Sequence, residues 1–187
     1  MSEQLMGLIS IPVVYLTLGS MLAVLVAEDV LYRRIRNFWV VVFFILWCGL
    51  SGLVWMKGAG DGTYVLWTIL GSMGVLLVGL VLFQFGFMGG GDVKLMAVLS
   101  LWVGHTQLIT FLIVTSLAGG VLVLLVPVLR PAEYMIANLW WALVQRLPET
   151  YRPDLPHCLS AHPSMGLPYG LAIATGASFT LFCTVVL

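Results

Sequence analysis

The chain has 187 residues, 61% of them hydrophobic and only 9% charged, and its mean hydropathy of +1.08 excludes an ordinary water-soluble domain. Eight basic and eight acidic side chains cancel to a formal charge of zero, which leaves no basic surface for nucleic acid. Three cysteines, Cys48, Cys158 and Cys183, lack paired spacing, so neither a disulfide framework nor a four-cysteine zinc site is available.

A helix needs about 20 apolar residues to cross roughly 30 Å of hydrocarbon. Six stretches answer to that pattern, at about 9–27, 38–56, 64–85, 92–103, 107–129 and 167–187. The first has no basic region before it and no small-residue cleavage signature after it, which predicts a permanent span rather than a removable signal. The fourth is short unless it begins at the glycines before it, and Gly104-His105-Thr106 separates it from the fifth. Beyond the fifth, Met135, Ile136, Leu139, Trp140, Leu143 and Leu147 recur at helical spacing with polar positions between them. That pattern predicts a helix lying in the membrane interface, followed by an irregular proline-rich stretch, the two together making a cytoplasmic loop over 130–166. The expected fold is therefore all-α, a single polytopic membrane domain with six transmembrane helices and one interfacial helix.

Lys and Arg near span ends are retained on the cytoplasmic side. With the amino terminus outside, Arg33, Arg34, Arg36, Lys94, Arg130, Arg146 and Arg152 fall inside and only Lys57 outside, seven against one. A seventh crossing over 132–147 would separate Arg130 from Arg146 and Arg152, which again favours the interfacial helix.

This topology pairs two carboxylates. Asp29 ends the first span and Asp92 begins the fourth, so both reach the cytoplasmic face at nearly the same depth. If those two spans pack side by side, the carboxylates come within reach of one water, as in aspartic proteases. Amide hydrolysis needs a base for the water and an acid for the carbonyl or leaving nitrogen, and two close carboxyls sharing one proton supply both. Asp92 follows glycines at a helix start, which predicts the ionised base; Asp29, at a helix end beside Glu28, is the expected proton carrier, with Arg33 pulling the other way. Glu28 competes for the role of Asp29, but adjacent helical positions point about 100° apart, so only one can face the fourth span. Gly89, Gly90 and Gly91 permit positive φ and leave room for an extended peptide to approach the backbone.

Simpler roles stand beside these. Asp29 can pair with Arg33 at four-residue spacing, and Asp92 can cap its helix. Arg33, Arg34 and Lys94 suit anchoring near anionic lipid or orienting a substrate, and Tyr169 suits an interfacial aromatic belt. His157, Cys158 and His162 sit in a proline-rich stretch where such a set more often binds nothing, and neither a metal nor a cofactor is expected.

The run from Gly89 through Asp92 to Val93-Lys94-Leu95 resembles the GxGD motif of the type IV prepilin peptidases, a family of membrane aspartic proteases that also includes preflagellin peptidases. The segment "DVLYRRIRN", 29–37, is similar to that family's first aspartate segment, with Arg36 standing where the family usually has proline. Near the carboxyl end, "LPYGLAIATG", 167–176, resembles the Pro-Tyr-Gly segment that opens the family's last span. The resemblance implies a peptidase that removes the short positive leader from prepilin or pseudopilin precursors at the cytoplasmic face of the inner membrane. It also implies that Asp29 and Asp92 are the catalytic pair, with Gly89, Gly90, Gly91, Lys94, Arg33, Arg34, Asn37, Pro168, Tyr169 and Gly170 as motif and substrate-backbone positions. The small size resembles the short branch serving tight-adherence, Flp-type pili, and the want of a tetracysteine motif implies no N-methylation. Two other classes of function remain open: a non-catalytic assembly subunit of a pilus or secretion system, and a small proton-coupled transporter. A transporter would be expected to place its carboxylates near the midplane, with repeats or broken helices. Here both lie at one edge, and no internal repeat is visible.

Overall fold

In hydrocarbon a backbone must satisfy its own hydrogen bonds, which a helix does within a single segment. The computed structural model describes residues 12–58, 60–145, 156, 159 and 169–186, and among these it contains α-helices and no strand. In chain order they are α1 (Pro12–Tyr32), α2 (Asn37–Met56), α3 (Gly62–Gln84), α4 (Gly90–Val103), α5 (Leu108–Val144) and α6 (Tyr169–Val186). Three stretches are long and apolar enough to cross a membrane: α2, α3 and the Leu108–Leu125 part of α5. By contrast α4, with 14 residues, is only about 21 Å long, shorter than the hydrocarbon layer.

Local chemistry sets the helix ends. Arg33 closes α1 in a left-handed conformation, φ +50°, and its N–H bonds the Asp29 carbonyl at 2.9 Å. Gly58, at φ +71°, turns the chain after α2, and the Asp61 carboxylate then accepts the Thr63 N–H at 3.0 Å to cap α3.

One expectation is overturned. The fifth span and the separate interfacial helix over 132–147 are a single helix of 37 residues, about 55 Å long, which runs through Pro127 and Pro131. Residues 130–144 of the expected loop are thus helical. The two prolines are four residues apart and both exposed, so their missing hydrogen bonds fall on one outer side. Tertiary contacts beyond them hold the course: Ala137 and Val144 are buried, Glu133 bonds Arg33, and Trp140 Nε1 donates to the Tyr32 hydroxyl at 3.1 Å. About 20 residues are needed to cross a bilayer, and only the Leu108–Leu125 part of α5 is apolar enough to do so.

The core lies around α4. That helix packs against α2, α3 and α6, and α6 packs in turn against α1 and α5. Leu95, Leu99 and Trp102 of α4 share a buried cluster with Leu18, Leu22 and Leu25 of α1, Phe43 of α2, Phe111 of α5 and Ile173 of α6. The Ser72 hydroxyl donates to the Ala97 carbonyl at 2.6 Å and Trp102 Nε1 to the Phe43 carbonyl at 3.1 Å, tying α3 and α2 to this short central element. Large apolar side chains elsewhere on α2 and α3, such as Phe44, Ile45, Leu77 and Val78, are exposed, as lipid-facing surfaces require. The first and fourth predicted spans are therefore joined through α6 as well as through the shared core.

Candidate active site

Asp29 lies in the last turn of α1 and is buried, at 5% exposure. Its Oδ2 accepts the backbone N–H of Gly170, in the first turn of α6, at 2.9 Å. A β-carbon on Gly170 would stand 2.8 Å from that oxygen and 3.1 Å from Cγ, so glycine is what lets the helix start come this close. Asp92 occupies the first turn of α4, three residues after the N-cap Gly89, and a β-carbon on Gly89 would stand 2.6 Å from its Oδ2. The two carboxylates, 63 positions apart in the chain, interact electrostatically.

The segment after α1 lies across the start of α4. A β-carbon on Gly91 would stand 3.1 Å from Ile35 Cβ, and one on Gly90 would stand 3.3 Å from the Phe83 ring. Lys94 Nζ donates to Asn37 Oδ1 at 3.3 Å, so the residues of the two aspartate motifs bond directly. The glycines are used differently from expectation: Gly89 is extended with φ −73°, Gly90 and Gly91 are helical, and none of the three has positive φ. Their missing side chains admit Asp92, Phe83 and Ile35 rather than leaving the backbone open.

Arg33 serves a partner the sequence did not suggest. Its Nη2 donates to both carboxylate oxygens of Glu133, at 2.7 and 2.8 Å, with 13% and 16% of the two side chains exposed. Glu133 lies 100 positions on, with no local pattern that could have revealed it. Glu28 accepts Trp39 Nε1–H at 2.8 Å and lies 3.7 Å from Arg36, whose side chain is largely exposed. It lines a groove of about 990 Å³ with Arg34, Arg36, Asn37 and, from α5, Ile136 and Trp140. Asp29 is not among the lining residues, so the two adjacent carboxylates do face different surroundings. Tyr169 is half-buried against α5, where a β-carbon on Gly119 would meet its hydroxyl at 2.8 Å. Pro168, His157, Cys158 and His162 lie outside the described residues.

Compared with known proteins, residues 16–124 match a family model described as the type IV leader peptidase family. That stretch holds both aspartates, the glycine run, Arg33, Arg34, Asn37 and Lys94, and it ends before Glu133, Tyr169 and Gly170. Neither the curated proteins nor the solved structures offer a match.

Proposed function

Because the chain belongs to the type IV leader peptidase family, we propose that it is a membrane aspartic endopeptidase that removes the leader from Flp-like prepilins at the cytoplasmic face of the inner membrane. In this reading Asp29 and Asp92 are the catalytic pair and the chain does not methylate the new amino terminus. Six crossings with the amino terminus outside put both aspartates and most of the cations on the cytoplasmic side, with the end of α5 on the same side. What supports the reading is a pair of aspartates from distant segments, near enough for the charge of one to act on the other, with Asp29 held by the Gly170 N–H.

The chemistry follows from one shared proton. The ionised carboxylate takes a proton from a water while the water oxygen bonds to the scissile carbonyl carbon; the protonated carboxyl gives its proton to the carbonyl oxygen. The tetrahedral diol then collapses. One hydroxyl proton returns to a carboxylate, the other carboxyl protonates the leaving nitrogen, and the C–N bond breaks. Arg33 and Lys94, bonded to Glu133 and Asn37, stiffen the segment between the aspartates rather than entering the reaction.

Co-expression with candidate pilin precursors tests this. The wild-type chain is expected to release the leader, and Asp29→Asn and Asp92→Asn each to abolish release, with the product's amino terminus unmethylated by mass spectrometry. Leader release by both variants overturns the assignment.

A further inference from the structure

Asp29 sits in the last turn of α1, so whatever holds that turn also holds the carboxyl. Two ties reach it from α5. Arg33 Nη2 donates to both carboxylate oxygens of Glu133, at 2.7 and 2.8 Å, and the Tyr32 hydroxyl accepts Trp140 Nε1–H at 3.1 Å. Residues 133, 136, 137, 140 and 144 recur at three- and four-residue spacing, which puts them on one face of α5. On that face Ala137 and Val144 are buried, and Ile136 and Trp140 line a groove shared with Glu28, Leu31 and Tyr32 of α1. The part of α5 beyond Pro131 thus lies along the end of the helix that carries Asp29.

Arg33 joins the two elements at both of its ends. Its backbone N–H bonds the Asp29 carbonyl, and its guanidinium bonds Glu133. Among the described residues it is the only one other than glycine with positive φ, a conformation that is unfavourable for a residue with a β-carbon and persists where surrounding contacts hold it. With 13% and 16% of the two side chains exposed, the pair is partly shielded, and such charges are screened less by salt than surface ones. Charge counts as well as shape. Arg33 and Glu133 both act on Asp29 with opposite signs, the guanidinium favouring the ionised carboxyl and Glu133 the protonated one. From α4 the acid coupled to Asp29 is Asp92, while α6 offers the Gly170 N–H and no Asp, Glu, Lys, Arg or His over Tyr169–Val186. Glu28 accepts Trp39 Nε1–H and lies 3.7 Å from Arg36, Lys94 bonds Asn37, Arg34 lines the groove, and the Tyr169 hydroxyl lies against Gly119.

We propose that Glu133 is a positioning residue for the hydrolysis: by holding Arg33 it fixes the turn that carries Asp29, and its charge offsets that of Arg33, so that Asp29 can both hold and release a proton. The proposal rests on the leader peptidase reading and deepens it. Glu133 lies beyond the stretch 16–124 that matches the family, so the match assigns it no role. A tie that only held the fold together would change the melting of the protein and leave the pH at which it works in place.

The test compares Glu133→Gln, Arg33→Gln and the double variant in proteoliposomes, on a pilin precursor that the wild-type chain cleaves, with kcat and KM followed across pH. A two-carboxylate hydrolase works between the two pKa values of its pair. Without the negative charge of Glu133 the pair ionises more readily, so the profile should move to lower pH by about half a unit or more. Arg33→Gln removes the positive charge and should move it the other way, and the double variant should bring it back close to wild type. In both single variants kcat should fall by about tenfold with little change in KM. Glu133→Asp keeps the charge and should restore the profile; Arg33→Lys should lower kcat and leave the profile in place. Lys57→Gln, exposed at the far end of α2, is the control and should change neither. If a thermal melt shows that Glu133→Gln alone does not fold, the double variant set against Arg33→Gln measures the same acid shift without an unpaired cation. Profiles that stay in place or move the same way in both single variants, or an unchanged kcat in Glu133→Gln, overturn the proposal. A wild-type chain that cleaves no precursor overturns the peptidase reading instead, and the proposal with it.

Discussion

Gly170→Ala should separate helix stability from catalysis, two quantities that most substitutions move together. The new β-carbon would stand 2.8 Å from Asp29 Oδ2, about 0.6 Å inside ordinary contact distance, and 3.1 Å from Cγ. Either the carboxylate recedes or the start of α6 moves outward; both stretch the 2.9 Å N–H···O bond beyond about 3.2 Å, where such bonds weaken. A hydrogen bond to a charged group is worth about 1.5–3 kcal/mol, whereas alanine in place of glycine in a helix returns about 1 kcal/mol. Net stability should thus fall by only about 0.5–2 kcal/mol. Displacing a reacting group by a fraction of an ångström to 1 Å costs far more in rate, so kcat should drop by about 10- to 100-fold with little change in KM. Purified protein in nanodiscs, assayed for precursor cleavage by gel shift and for unfolding by a thermal melt, measures both. Gly120→Ala, exposed on α5 with nothing within 4 Å, is the matched control and should cleave like wild type. If Gly170→Ala keeps kcat within about twofold of wild type, the Gly170 N–H does not position Asp29 in the working enzyme.

Three further outcomes are expected. Breaking the partly buried Arg33–Glu133 pair with Glu133→Gln should lower stability by about 1–3 kcal/mol, and a double-mutant cycle with Arg33→Gln should show coupling of at least about 1 kcal/mol; additivity would mean that the bond does not form in solution. Gly79→Ala forces a carbon to within 2.6 Å of Val93 Cγ1, an overpacking cost of about 1–3 kcal/mol. Adding Val93→Ala should restore most of that loss and of the accompanying loss of cleavage, and failure of the rescue would show that α3 and α4 do not press together there. Asp61→Ala removes the cap of α3 at the end far from Asp92 and should cost about 1 kcal/mol in a melt while cleavage is retained.

What could be read along the chain was local chemistry, and what could not was long-range partnership. The second predicted span, 38–56, differs from α2 (Asn37–Met56) by a single residue, because its apolar run is bounded by charged residues on both sides. Glycine before Asp92 foretold a helix start, and the cap is there. Arg33 shows where the reasoning stops. At four-residue spacing its obvious partner was Asp29, on which its charge does act, but with Arg33 in a left-handed turn its hydrogen bonds go to Glu133. The course of α5 was misjudged for a related reason: Arg130-Pro131 has the composition of a helix end, and only the contacts of Glu133, Ala137 and Trp140 with other elements carry the helix across it. The position of α6 between α1 and α5 has no signature in hydropathy, which reports crossings and not neighbours.

The way these carboxylates are held also bears on what they can do. A buried carboxylate without hydrogen bonds is costly, and the usual remedy is a cation. At Asp29 the nearest cation in sequence, Arg33, gives its Nη2 to both oxygens of Glu133 while its charge also acts on Asp29, and Asp29 accepts a neutral backbone N–H. Asp92 lies against Gly89, where a β-carbon would stand 2.6 Å from its Oδ2, and Lys94 bonds Asn37. A carboxyl locked against arginine stays ionised and cannot deliver a proton. One that rests on a single amide keeps its second oxygen for a proton or a water and can change charge without losing its place. Glu133 takes both hydrogen bonds from Arg33, yet the charges of the two act together on Asp29; in the proposed two-carboxylate hydrolysis, that opposed pair bears on how readily Asp29 takes up and gives back its proton.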